Sequence, residues 1–279
     1  MGSDALVQLR YQLRFEPFYG GIGWRELKGF MSVSRIGGKE GMDMKKLAAG
    51  LIVVIFASVS LTALALRGPK ELTFCIYYQD LWPAKPSKPP KQPADPGYSI
   101  IGRWDGTTTY YYNSKNPDGL SDEFIAQALS DACTEWDSHT GFALVGGAQY
   151  DLNAGFGKTM NGKNEISFGN YDQAGVIAVC RMWVTRGKLS ERRILEFDIL
   201  FDTDYAWGDA TVNPGLMDLQ NIATHELGHG MAGLDDIYDA SWNLLTMYGY
   251  SGEGDTAKRT LYGTDTTGDI GGVKANYGS

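Results

Sequence analysis

An α+β fold, a twisted mixed β-sheet with helices packed on one side, is what the sequence predicts. Three observations lead there. Strand-like and helix-like segments follow one another in the order strand, helix, several strands, helix, long loop, helix. The strand-like stretches are short and rich in β-branched and aromatic residues. Glycine is abundant at 36 residues, which favours turns and loops over a helical bundle. A chain of 279 residues that is 43% hydrophobic can bury a sizeable core as one large domain.

The elements come in this order. Residues 1–41 show no clear periodicity and form an N-terminal extension. It lies outside the native protein if translation starts at Met42 or Met44. Residues 42–66 read as a signal peptide or membrane anchor. Lys45 and Lys46 precede an uncharged run from Leu47 to Leu66, which has the length of a bilayer span and ends in the A-x-A pattern of Ala63-Leu64-Ala65. Both readings put the chain beyond Leu66 outside the cytoplasm. Residues 67–98 form a proline-rich linker, because "LWPAKPSKPPKQPADPGY" favours extended polyproline II. The folded domain then spans 99–279.

Within it, "GTTTYYYNS" predicts a strand. "SDEFIAQALSDACTEWDSHTG" predicts an amphipathic helix capped by Ser121, with Phe124, Ile125, Ala128, Leu129, Ala132 and Trp136 on one face. "GFALVGG", "NEISFGN", "GVIAVCRMWVT" and "RRILEFDILFD" predict further strands, with a tight turn at Asn161-Gly162. "DLQNIATHELGHGM" predicts the second helix. "TTGDIGGVKANYG" predicts a closing helix, with Thr266 and Asp269 at capping-box spacing.

A formal net charge of -8 argues against nucleic acid as a partner, since little phosphate could be neutralised. The chain has three histidines, His139, His225 and His229, and the last two stand in "HELGH". On a helix, residues i and i+4 share a face, so His225 and His229 can hold one Zn2+ ion. Glu226 projects beside them, where a carboxylate can take a proton from a metal-bound water and pass it to a leaving amine. That is the chemistry of peptide hydrolysis. A chance match on a surface helix is the bland reading. The scarcity of histidine opposes it, as does the apolar face of Leu219, Ile222, Ala223, Leu227 and Met231.

On these residues the sequence resembles the metzincin zinc endopeptidases, and among them the matrixins. "NLLTMYGY" offers Met247 for the family's Met-turn, and "GDIGGVKANYG" is similar to the matrixin closing helix. The resemblance covers about residues 99–279. It implies a metzincin-like zincin catalytic domain with an active-site helix and a C-terminal helix, acting as a monomer on peptide or protein substrates. The family's third zinc-binding histidine is missing after His229. An aspartate takes its place: Asp235 by strict spacing, Asp236 if the count starts from Gly233, where the chain must reverse toward the metal. An aspartate leaves the site one unit less positive than three histidines would. The expected consequence is a more alkaline activity limb, and an Asp236→His variant should move the acidic limb to lower pH.

Other residues carry weaker expectations. Tyr238, Tyr248 and Tyr250 could each donate to a tetrahedral intermediate. "GVIAVCRMWVT" is either the edge strand that receives substrate or an interior strand. Cys133 and Cys180 either pair as a disulfide or stay as buried thiols. Asp198, Asp202 and Asp204 could hold a structural Ca2+, though no full calcium-loop pattern is present. Two functions remain open: an extracellular zinc endopeptidase, secreted or tethered to the membrane through its N-terminal apolar segment, or a catalytically silent binding module that keeps the fold.

Overall fold

The computed structural model describes residues 68–79 and 96–279. The extension at 1–41, the apolar run Leu47–Leu66 and the proline-dense stretch 80–95 lie outside the described residues. Among the described residues no helix is long and apolar enough to cross a membrane.

Ten strands and three α-helices make up the fold of the described residues. In chain order they are β1 (Lys70–Tyr78), β2 (Thr108–Tyr112), α1 (Asp122–Asp137), β3 (Val145–Tyr150), β4 (Glu165–Gly169), β5 (Val176–Val184), β6 (Ile194–Asp202), β7 (Trp207–Gly208), β8 (Met217–Asp218), α2 (Leu219–Gly230), β9 (Tyr250–Ser251), β10 (Gly263–Thr264) and α3 (Gly268–Tyr277). Seven strands form one mixed sheet in the order β3-β2-β4-β6-β5-β1-β9, and β7 pairs with β8 apart from it. Strand β2 is parallel to β3 and β4, and β4 is parallel to β6. Strand β5 is antiparallel to both β6 and β1. The predicted α+β class is the one observed.

One expectation about the sheet is corrected, and one open alternative is decided. The linker assigned to 67–98 contains β1, so the folded domain starts about thirty residues before Tyr98. The stretch "KELTFCIYY" has the β-branched and aromatic content of a strand, and β5 supplies its partner. Strand β5 is not an edge strand, because β1 covers it from Lys70↔Val184 to Tyr77↔Val176.

Helix α1 forms as its pattern dictates. Ser121 Oγ accepts the Phe124 N–H at 3.2 Å, and Ile125, Ala128, Leu129, Ala132, Cys133 and Trp136 are buried. Helix α2 starts at Asp218, whose carboxylate accepts the Asn221 N–H at 2.9 Å. It lies between α1 and the sheet, so almost all of it is buried, polar residues included. Ile222 and Leu227 are wholly buried, each contributing about 1.5–3 kcal/mol to stability. Trp136 Nε1 donates to the Thr224 carbonyl at 2.8 Å and fixes α1 on α2.

Contact between these layers is close enough to exclude one methyl group. A Cβ at Gly228 would collide with Met247 Sδ and lie 2.7 Å from the Trp136 ring. Gly228→Ala is therefore expected to lower stability by about 1–3 kcal/mol, read as a fall in Tm. An unchanged Tm would show that the Met247 side chain gives way freely.

Helix α3 departs from its predicted capping box. Its N-cap is Thr267, which makes no side-chain cap bond. Asp269 turns into the core instead of back to the helix end. The three cysteines are free and buried, so the disulfide between Cys133 and Cys180 is not formed. Cys133 Sγ instead meets Met231 Sδ at 3.8 Å.

Candidate metal centre

Helix α2 carries His225 and His229 one turn apart, and both rings are fully buried. Each ring is held through Nδ1. His225 Nδ1–H donates to the Thr246 carbonyl and His229 Nδ1–H to the Leu234 carbonyl, both at 2.7 Å. With Nδ1 so engaged, Nε2 of each ring is left as a lone-pair donor pointing at one place.

The chain reverses there through Gly233. Its φ of +70° favours glycine, and a Cβ would collide with the Gly102 carbonyl oxygen. The turn is pinned from outside the helix. Ile101 N–H donates to the Gly233 carbonyl at 2.8 Å, and Asn276 Nδ2 bridges the carbonyls of Gly102 and Ala232 at 2.8 and 2.9 Å. Asp236 then faces the histidines. Its Oδ1 is 3.2 Å from His225 Nε2 and 3.4 Å from His229 Nε2, with the side chain only 4% exposed. Its Oδ2 accepts the Tyr238 hydroxyl at 3.0 Å.

Of the two competing aspartates, Asp236 is the one brought to the histidines. Asp235 takes another position: its Oδ1 accepts the Asp236 N–H at 3.0 Å, and its own N–H donates to the Ser99 carbonyl. His139 is remote from the group and pairs with Glu135 on α1.

Among the described residues, His225, His229 and Asp236 are the one set of three such side chains with ligand atoms within 4.8 Å of one another. Asp198, Asp202 and Asp204 make no such group. Asp198 and Asp202 accept backbone N–H donors, from Gly157 and Glu165 and from Tyr171 and Asp204.

The buried polar atoms of this group are orphaned in the way a cation would resolve. His225 Nε2, His229 Nε2, Asp236 Oδ1 and both Glu226 oxygens complete no hydrogen bond. Two neutral imidazoles and one carboxylate are a donor set that suits zinc with a fourth position open. The charges respond to the crowding. Burial lowers the His225 pKa against the pull of Asp236. Burial also works to lower His229, but the Asp236 carboxylate outweighs it and carries that pKa up to about 9. Burial works to raise Asp236, and the two histidines hold it well below the usual carboxylate range. Burial drives Glu226 up to about 8. The Ile76 main-chain amide draws Glu226 slightly down without closing a hydrogen bond.

Two supports were not visible in the sequence. Asp269 Oδ2 accepts the N–H groups of Thr246 and Tyr262 at 2.7 and 3.0 Å, and its Oδ1 accepts that of Met247 at 3.0 Å. Since the Thr246 carbonyl holds His225, Asp269 braces the metal centre through one residue. Asp269→Asn would replace one acceptor oxygen by an NH2 facing N–H donors. It is expected to cost about 1–3 kcal/mol of stability and to loosen the turn that carries Met247. A Tm equal to wild type would contradict this. The second support is Phe74, whose ring stacks on His229 at 4.5 Å between centroids.

Met247 is buried, with its Sδ against Gly228 of α2. Tyr238 is tied to Asp236, while Tyr248 and Tyr250 pack on each other at 5.4 Å. A search of the curated proteins finds no match. Among protein-family models, one described as matrixin matches residues 103–278.

Proposed function

The chain belongs to the matrixin family of metalloproteases, and from that premise we propose that it is a working zinc endopeptidase. In this reading His225, His229 and Asp236 hold the zinc, and Glu226 is general base and acid. The observation that carries it is the convergence of two orphaned imidazole nitrogens and one orphaned carboxylate oxygen beside an unpaired, buried glutamate.

Zinc bound there would polarise a water and lower its pKa to about 7. The chain's own residues do the rest. The Thr246 and Leu234 carbonyls hold each ring's proton at Nδ1 and fix its orientation, so that Nε2 is the nitrogen left to offer a lone pair. The Tyr238 hydroxyl and the bond from the Asp236 amide to Asp235 hold the third carboxylate in place. Burial gives Glu226 a high proton affinity, which suits it to take a proton from water and return it to the leaving amine. Export supports the same reading: the run Leu47–Leu66 behind Lys45 and Lys46 would deliver the domain outside the cytoplasm, secreted or tethered. The structural Ca2+ is not part of the proposal.

Hydrolysis of an unfolded protein, with and without chelator, tests it. Loss of hydrolysis on chelation and its return with zinc is the expected result. A chain that binds the unfolded protein without ever cutting it would favour the silent binding module.

A further inference from the structure

The segment before β2, the loop between β5 and β6 and the end of α3 enclose a cavity of about 590 Å³ that no side chain of the metal centre lines. Its size is that of a small-ligand site, roughly 300–1,000 Å³. Arg103 and Arg192 line it together because the main chain ties them together. Arg103 N–H donates to the Arg192 carbonyl at 3.2 Å, and Ile194 N–H donates to the Arg103 carbonyl at 2.9 Å. The Arg103 guanidinium lies over the Tyr277 ring, 5.5 Å from its centroid, and Arg192 Nη1 donates to the Ile101 carbonyl at 3.1 Å. These contacts place both side chains without neutralising either charge. Other arginines of the fold are neutralised: Arg181 pairs with Glu71, Arg193 with Asp105, and Arg259 with Asp209 and Asp218. Arg103 and Arg192 pair with no carboxylate among the described residues, and Nε of each is buried without a hydrogen-bond partner. Two unpaired cations in one cavity are notable in a chain of net charge -8.

We propose that this cavity binds a carboxylate carried on an apolar body. The two guanidiniums supply planar N–H forks that match carboxylate oxygens, and a carboxylate would satisfy donors that the fold leaves unpaired. The Ser190 hydroxyl, also on the lining, adds a further donor. Asn276 lines the cavity too, but its Nδ2 is spent on the carbonyls of Gly102 and Ala232, so recognition of the charge falls to the arginines. The apolar body follows from the remaining walls. Ile100 and Leu189 face the same space, and Leu189 is 48% exposed until something covers it. A bare phosphate would leave that apolar surface in water. A small aliphatic acid and a peptide ending in an apolar residue both present this chemistry. The site needs no metal and is independent of the endopeptidase reading.

Calorimetric titration of the full chain tests this. The probes are hexanoate, its neutral counterpart hexan-1-ol, inorganic phosphate, and a short peptide ending in leucine as the free carboxylate or as the amide. Hexanoate is expected to bind saturably, more tightly than hexan-1-ol or phosphate, and at least about tenfold more weakly to an Arg103→Gln/Arg192→Gln variant. Equal binding of hexanoate and hexan-1-ol overturns the proposal. So does tighter binding of phosphate, or a folded double variant that holds hexanoate as well as the parent. If the double variant does not fold, Leu189→Glu sets a carboxylate beside the arginines from an exposed position and is expected to weaken hexanoate likewise; undiminished binding there overturns the proposal. A carboxylate peptide that binds more tightly than hexanoate, with its amide silent, assigns the site to chain ends, and the reverse order assigns it to small acids. No readout depends on hydrolysis, so failure here leaves the endopeptidase reading untouched.

Discussion

Glu226→Ala is expected to lower peptide hydrolysis by about 10²–10⁴-fold while the metal stays bound. The expectation follows from position. Glu226 is adjacent in sequence to His225 but is not among the three side chains that converge, so its removal deletes no ligand. Both its oxygens are buried without a hydrogen-bond partner, so no structural bond is lost either. Removing a buried carboxylate that burial already penalises should leave Tm unchanged or raise it. Unchanged hydrolysis in a folded variant would remove Glu226 from the mechanism. Loss of the metal together with activity would make it a ligand instead of a base.

Asp236→Ala should reduce zinc affinity by more than about 100-fold, while Asp235→Asn leaves it within about tenfold of wild type. The contrast comes from the turn at Gly233. Asp236 Oδ1 stands 3.2 and 3.4 Å from the two Nε2 atoms, whereas the Asp235 carboxylate accepts the Asp236 amide. Competition with a graded chelator reads both affinities. Similar losses in the two variants would mean that the aspartates share the ion.

The parts of this site that were legible in the sequence are those that local geometry dictates. Two histidines four residues apart on a helix must share a face, so "HELGH" announced itself, and the apolar spacing of α1 predicted its buried residues. The third ligand was half legible. Gly233 signalled a reversal, but what aims Asp236 is the grip of Ile101, Gly102 and Asn276 on that turn, from segments far away in the chain. Asp269 has the spacing of a capping residue, and only the fold shows three main-chain N–H groups waiting for it. Strand β1 was lost in the linker for a similar reason. Its partner β5 lies about a hundred residues on, and the neighbouring prolines masked a run of alternating apolar residues.

The most direct test of the zinc endopeptidase is hydrolysis of an unfolded protein by the full chain, assayed with zinc, with chelator, and with Glu226→Ala added. Hydrolysis in the first sample alone, restored when zinc replaces the chelator, is the predicted result. Equal hydrolysis in all three, or none in a folded and zinc-loaded chain, would contradict it.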